Sequence, residues 1–363
     1  MLISGSVTSG MRGDLDEGST TISGAVNGGT INVNGGTATL SSGNRAFKAN
    51  LNIASGAIVT ATTTDMINYG TNDQGSSLKV SVAGKLVMNN RWTFRSNNKL
   101  ELAGGTISGT GQSAASDVAL EFNSTNTIAV TAAGSEISAK TRINGGTTLT
   151  YEVNADADLR VLGSVIQNGT SGGAVEKTGA GTLTLAAANS YGGGTTIAAG
   201  TLVAADAGAL GTGAVKVASG AKLRAGAAVS LTTAAQALKL YVSDAQKGDA
   251  GTALVTSENG GSVTVSGAAK VYVDISALTL AASAENSESV TLRIASETAL
   301  MASEGTFEVG WWEGEAWRRF EGIYDYSADM GLLTVAIPEP SAFGLLAGLA
   351  ALALAGTRRR KRR

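Results

Sequence analysis

Ser23–Gly43 reads SGAVNGGTINVNGGTATLSSG, and its pattern governs most of the chain. Ile31 and Val33, then Ala38 and Leu40, alternate with polar residues, while Gly28-Gly29 and Gly35-Gly36 break the runs. Alternation with a period of two over four or five residues makes a strand with one buried face. Such runs recur at Leu51–Thr60, Leu78–Val87, Lys99–Ile107, Val118–Val130, Thr147–Val153 and Thr182–Leu185, without helical periodicity. Many short strands and no helices leave a sandwich, a barrel or a β-solenoid. The solenoid fits best. Its tight corners suit small residues, and Thr, Asn and Ser stacked from coil to coil form hydrogen-bonded ladders along the outside. The 49 glycines belong to those corners, and an aromatic content of 5% is thin for a sandwich core.

Two missing residue types prune the chemistry. The chain has no cysteine, hence no disulfide framework, thiol nucleophile or thiolate metal site. It has no histidine either, so the usual general base and the commonest transition-metal ligand are absent. No cofactor and no metal site is expected, and carboxylate-only chemistry such as glycoside hydrolysis survives. Six of the 27 Lys and Arg lie in Arg358–Arg363, which leaves 21 against 29 acids and a body at −8. An acidic body argues against nucleic acid as partner.

Val175–Ala204 reads VEKTGAGTLTLAAANSYGGGTTIAAGTLVA. Lys177, Thr178, Gly179, Gly181, Thr182, Leu183 and Leu185 are followed by Asn189 and Tyr191, then Gly194-Thr195-Thr196 and Gly200-Thr201-Leu202. This stretch resembles the autotransporter-associated β-strand repeat. The resemblance implies a right-handed parallel β-helix of the kind found in secreted passenger domains, over residues 1–225. Coils of ~20 residues stacked ~4.8 Å apart would make a rod roughly 50 Å long.

After Ala225 charges increase and longer strands are expected, among them Ala237–Val242, Ala269–Ile275, Thr306–Trp312 and Leu332–Ile337. FEVGWWEGEAWRRFEGIYDYS reads as a hairpin turning at Glu313-Gly314. Residues 226–336 are therefore expected to form a smaller antiparallel β-domain capping the solenoid. They are too few for a translocator barrel of about 12 strands, which sets aside an outer-membrane autotransporter. Trp311, Trp312 and Trp317 are candidates for sugar stacking, the alternative being that they form the core of that domain.

The chain closes IPEPSAFGLLAGLAALALAGTRRRKRR, which holds both of its prolines. Pro338-Glu339-Pro340-Ser341 is followed by the 15 uncharged residues Ala342–Gly356 and by Arg358, Arg359, Arg360, Lys361, Arg362 and Arg363. The apolar run reads as a short transmembrane helix. The basic tail would stay cytoplasmic and place the body outside the inner membrane. In this order the three parts of 337–363 resemble a PEP-CTERM sorting signal. The resemblance implies recognition by an exosortase, export, and an exopolysaccharide-producing host with an outer membrane. It also implies a signal peptide; Met1–Asp14 has neither a basic nor an apolar segment, which favours a missing N-terminus.

Weaker candidates are bland on balance. Asp14, Asp16 and Glu17 could meet Ca²⁺ but lack an EF-hand's spacing, and Asn154, Asp156 and Asp158 read as one solvated strand face. The expectation is a non-catalytic, exported envelope or extracellular-matrix protein, adhesive or structural. The protein would be inner-membrane anchored until an exosortase processes it and would then lie at the cell surface. The alternatives are a β-helix polysaccharide lyase or glycosidase, and a polysaccharide-binding protein.

Overall fold

The structure is a computed structural model and describes residues 2–3, 12–42, 46–63, 78–95, 98–109, 117–279 and 289–336. Among them, strand follows strand, with three short helical turns between. Successive strands alternate between two long sheets: Thr30–Val33 in a fourteen-stranded sheet, Thr37–Leu40 in a twelve-stranded one, Asn50–Ile53 back in the first. Through these sheets strands pair in parallel with the strand one coil away, Thr30 opposite Asn50 and Thr37 opposite Ile58, up to a closing hairpin. This is the winding of a parallel β-helix. At ~4.8 Å per strand the longer sheet extends about 60 Å.

A third side exists only in parts. Trp92–Phe94, Leu120–Phe122, Thr141–Asn144 and Val165–Asn168 form one short sheet there, and Ala228–Leu231, Ser262–Val265 and Leu300–Ala302 another. Residues 169–227 contribute no strand to that side.

The two-residue period delivers what the sequence pattern requires. Strand after strand has alternate residues buried, and parallel in-register pairing stacks the inward ones into columns. One column of the long sheet climbs Ile31, Leu51, Val80, Leu100, Ile128 and Tyr151. Past residue 177 it continues through Ile197, Val217, Leu240, Val273 and Val309, all buried. Outward residues form the expected ladders. Asn52 Nδ2 donates to Asn32 Oδ1 at 2.7 Å, and Asn32 Nδ2 to Asp14 Oδ1 at 2.6 Å.

Three expectations are corrected. Runs such as Leu78–Val87 are not single strands but pairs, Lys79–Val82 and Lys85–Met88, which lie in different sheets. The corner falls at Ala83-Gly84, where a Cβ on Gly84 would stand 2.2 Å from the Ala54 carbonyl of the coil below. Second, no separate antiparallel domain begins at 226. Leu238–Ser243, Val271–Ala277 and Phe307–Glu313 continue the long sheet in parallel, and Phe320, Leu333 and Val335 join the same core cluster as Ile22. Among the described residues, antiparallel strand pairs are the hairpin of Phe307–Glu313 with Ala316–Arg319 and those of Leu332–Ala336 with Ser289–Arg293 and Tyr324–Ser327, with an isolated antiparallel bridge between Lys247 and Leu292. Third, Asn154, Asp156 and Asp158 do not share a strand face. Asn154–Ala157 is a turn closed by the Ala157 amide on the Asn154 carbonyl, and Asp158 opens the next strand.

Column positions and outward positions should respond differently to the same truncation. Leu149→Ala in a buried column should cost about 3 kcal/mol, whereas outward Thr184→Ala should cost less than about 1 kcal/mol. Urea midpoints followed by circular dichroism give the comparison.

Candidate functional site

Two regions depart from the regular pattern, and each was marked by sequence. The first is Lys177. Its backbone register puts it in the buried column between Tyr151 and Ile197, and its side chain is fully buried. A buried ammonium survives only with its donors satisfied. Nζ donates to the carbonyls of Thr178 and Gly179 at 2.7 Å each and of Ala199 at 3.2 Å. Those carbonyls belong to two stacked corners, so one side chain ties consecutive coils together. Gly179 is in the left-handed region at φ 71, and a Cβ on Gly181 would stand 2.1 Å from the Asn154 carbonyl. Burial draws the Lys177 ammonium down to about 8.

Asn189 and Tyr191 fill the strandless third side above Val165–Asn168. The Asn189 Oδ1 accepts from the Val165 amide at 2.7 Å, and its Nδ2 donates to the Ala209 carbonyl at 2.6 Å. One asparagine thus bridges the coil below and the coil above. The fully buried Tyr191 hydroxyl lies 2.7 Å from Thr195 Oγ1, which donates to the Leu210 carbonyl at 2.9 Å. Burial pushes the Tyr191 hydroxyl well above the usual tyrosine range.

The second region is the aromatic group. Parity splits Trp311, Trp312 and Trp317. Trp311 turns inward and packs against the core, as does Phe320. Trp312 and Trp317 lie on the outer face, where Gly310 leaves room for the Trp317 ring. Trp312 and Trp317 have ring centroids 5.0 Å apart; Tyr272 adds a third ring, 5.6 Å from Trp312 and 5.0 Å from Trp317. Lys239 Nζ sits 4.0 Å from the Trp312 ring centroid, a cation–π contact. Burial first, and the Lys216 charge second, lower the Lys239 pKa. Beneath the rings, Asp274 is buried and accepts from the Ser276 amide at 2.9 Å and the Trp312 amide at 3.2 Å. That carboxylate pins the outer strand carrying Trp312. Tyr272, Lys239 and Asp274 were not singled out by sequence; no local signal links residues a coil apart.

Other candidates resolve into structural roles. Asp14 and Asp16 accept from Asn32 and Asn34, and Asp158 Oδ1 accepts from the Gly134 amide at 3.1 Å; Glu17 is exposed. Among the described residues no cluster of three or more acids gathers for a metal ion. A groove of about 530 Å³ opens on the outer face over Lys79, Lys99, Glu101, Thr127, Ala129 and Glu152. Glu101 there is ion-paired to Lys79 at 2.8 Å.

The family model of the passenger-associated-transport-repeat matches residues 175–204, and that of the PEP-CTERM protein-sorting motif matches 336–361. The chain carries both. No curated protein and no solved structure matches it. The PEP-CTERM motif is the signal an exosortase recognises, and with the passenger repeat it indicates an exported, sorted protein with a membrane-anchoring C-terminal signal. Pro338, Glu339, Pro340, Ser341, the expected transmembrane helix and the tail Arg358–Arg363 lie outside the described residues. Among the described residues no helix is long and apolar enough to cross a membrane. Lys177, Gly179, Gly181, Asn189, Tyr191 and Thr195 of the passenger repeat all make corner or bridge contacts, so its signature residues secure stacking.

Lys177→Met should leave three corner carbonyls without their donor and cost about 2 kcal/mol at neutral pH. The pH dependence has a defined sign. With the folded pKa near 8 and the unfolded one at about 10.4, the unfolded chain binds more protons between them. Wild-type stability therefore rises with pH across that window, and the Lys177→Met variant lacks the rise. Denaturant midpoints of both proteins at a series of pH values test this.

Proposed function

We propose that the protein is a non-catalytic component of the cell envelope or extracellular matrix, structural or adhesive. An exosortase would recognise Pro338-Glu339-Pro340 and release the body to the surface. The observation that carries this reading is the pairing of a C-terminal sorting motif with a long, stacked β-helix. A rod stabilised by nearest-neighbour coils displays a large outer surface at modest sequence cost. Pro338 and Pro340 disfavour helix, which suits an extended substrate for a processing enzyme. The Arg-rich end would hold the intermediate in the inner membrane, tail inward.

A polysaccharide-binding role is the second reading, favoured by the outward rings of Trp312, Trp317 and Tyr272. The hydrolase or lyase alternative has less support: among the described residues no cluster of three or more acids gathers, and Glu101 in the groove is engaged by Lys79 at 2.8 Å.

Intact mass and cell fraction of the native protein test the sorting role against a Pro338→Ala/Pro340→Ala variant. Wild type should lose its last ~25 residues and appear at the surface or in the matrix, while the variant stays full-length in the inner membrane. Unprocessed, membrane-held chain in both would reduce the C-terminus to a plain anchor and remove exosortase as a partner.

A further inference from the structure

We infer that Lys216, Lys239, Tyr272, Trp312 and Trp317 form a binding site for a uronate-bearing polysaccharide. The inference deepens the surface reading above and relies on it only for where ligand and protein meet.

The site rests on stacking and charge together. Three half-buried rings in mutual contact gather on an outer sheet face, where they offer apolar surface next to solvent. Trp317 is held across Gly310, and Trp312 is fixed by its amide on the buried Asp274. The rings are thus pre-positioned on paired strands, which lowers the ordering cost of binding. A pyranose ring presents a face of C–H groups to such a platform.

Charge selects the class of sugar. Lys216 and Lys239 are register partners on the outer face of neighbouring coils, close enough for the Lys216 charge to act on Lys239. Like charges directly opposite each other destabilise a sheet. Arg319, which shares the face of Trp317, is met by Glu308 at 3.4 Å. Asp274 spends its oxygens on two backbone amides. Among the described residues no carboxylate pairs with Lys216 or Lys239. Two ammonium groups without a carboxylate partner, one of them resting on the Trp312 ring, beside a cluster of tilted aromatic rings match a sugar ring that carries a carboxylate.

Affinity electrophoresis of the full-length chain through gels containing alginate, with neutral dextran as comparator, tests the site. Alginate should retard the wild type and dextran should not, and added salt should weaken the effect. Trp317→Ala should weaken alginate binding about tenfold and Lys216→Ala about fivefold, while Lys222→Ala on the other long sheet should change nothing. Denaturant midpoints show whether each variant remains folded, and Trp317→Phe should restore part of the binding. Lack of retardation, equal retardation by dextran, or retardation that survives both Trp317→Ala and Lys216→Ala would overturn the assignment. The last outcome would place binding on the basic tail. Cell fraction keeps the two readings apart: a mislocalised wild type that still binds alginate sinks the sorting role alone.

Discussion

Parallel, in-register stacking of coils is the interaction on which every other feature depends. Interior strands of the two long sheets bond to the strand one coil below and the strand one coil above, so their side chains have neighbours of the same orientation about 4.8 Å away. Inward positions then become columns such as Leu51, Val80 and Leu100, and corners become columns of close backbone contact. A polar side chain placed inward meets two apolar neighbours rather than one. A Cβ at a corner such as Gly84 or Gly181 meets the carbonyl of the coil beneath.

The passenger repeat shows how polar groups are admitted under this constraint. Lys177 occupies an inward position, but its chain reaches the corner and its ammonium meets three carbonyls. Asn189 and Tyr191 work where the third side has no strand, between Val165–Asn168 and Ala228–Leu231. There they supply through side chains the coil-to-coil hydrogen bonds that a backbone ladder supplies elsewhere. The repeat therefore coincides with the segment that needs it most. Its signature residues are explained by stacking, which leaves recognition to the outer surface.

On that surface the same register decides which charges meet. Asparagine and aspartate cooperate in the ladder of Asp14, Asn32 and Asn52, and Lys79, whose register partner is Lys99, reaches diagonally to Glu101. Lys216 and Lys239 meet each other, beside three aromatic rings. One rod thus carries polar neighbours that satisfy each other and, at Lys216 and Lys239, like charges on adjacent coils.

Much of this was legible from residues alone. Alternation in Ser23–Gly43, glycine punctuation, and the scarcity of aromatics specified short strands and tight corners, because both burial parity and positive φ are local properties. The hairpin at Glu313-Gly314 was legible for the same reason, and Gly314 does adopt φ 62. The sorting motif was readable as a linear string, which is also how an exosortase would meet it. Tertiary structure alone decided that the coils run on past residue 225, that Trp311 faces inward while Trp312 and Trp317 face outward together, and that Lys177 lies buried under two corners. Each of these turns on which residue sits one coil away. Coil lengths vary, so the partner is set by stacking over the whole rod and by no local pattern.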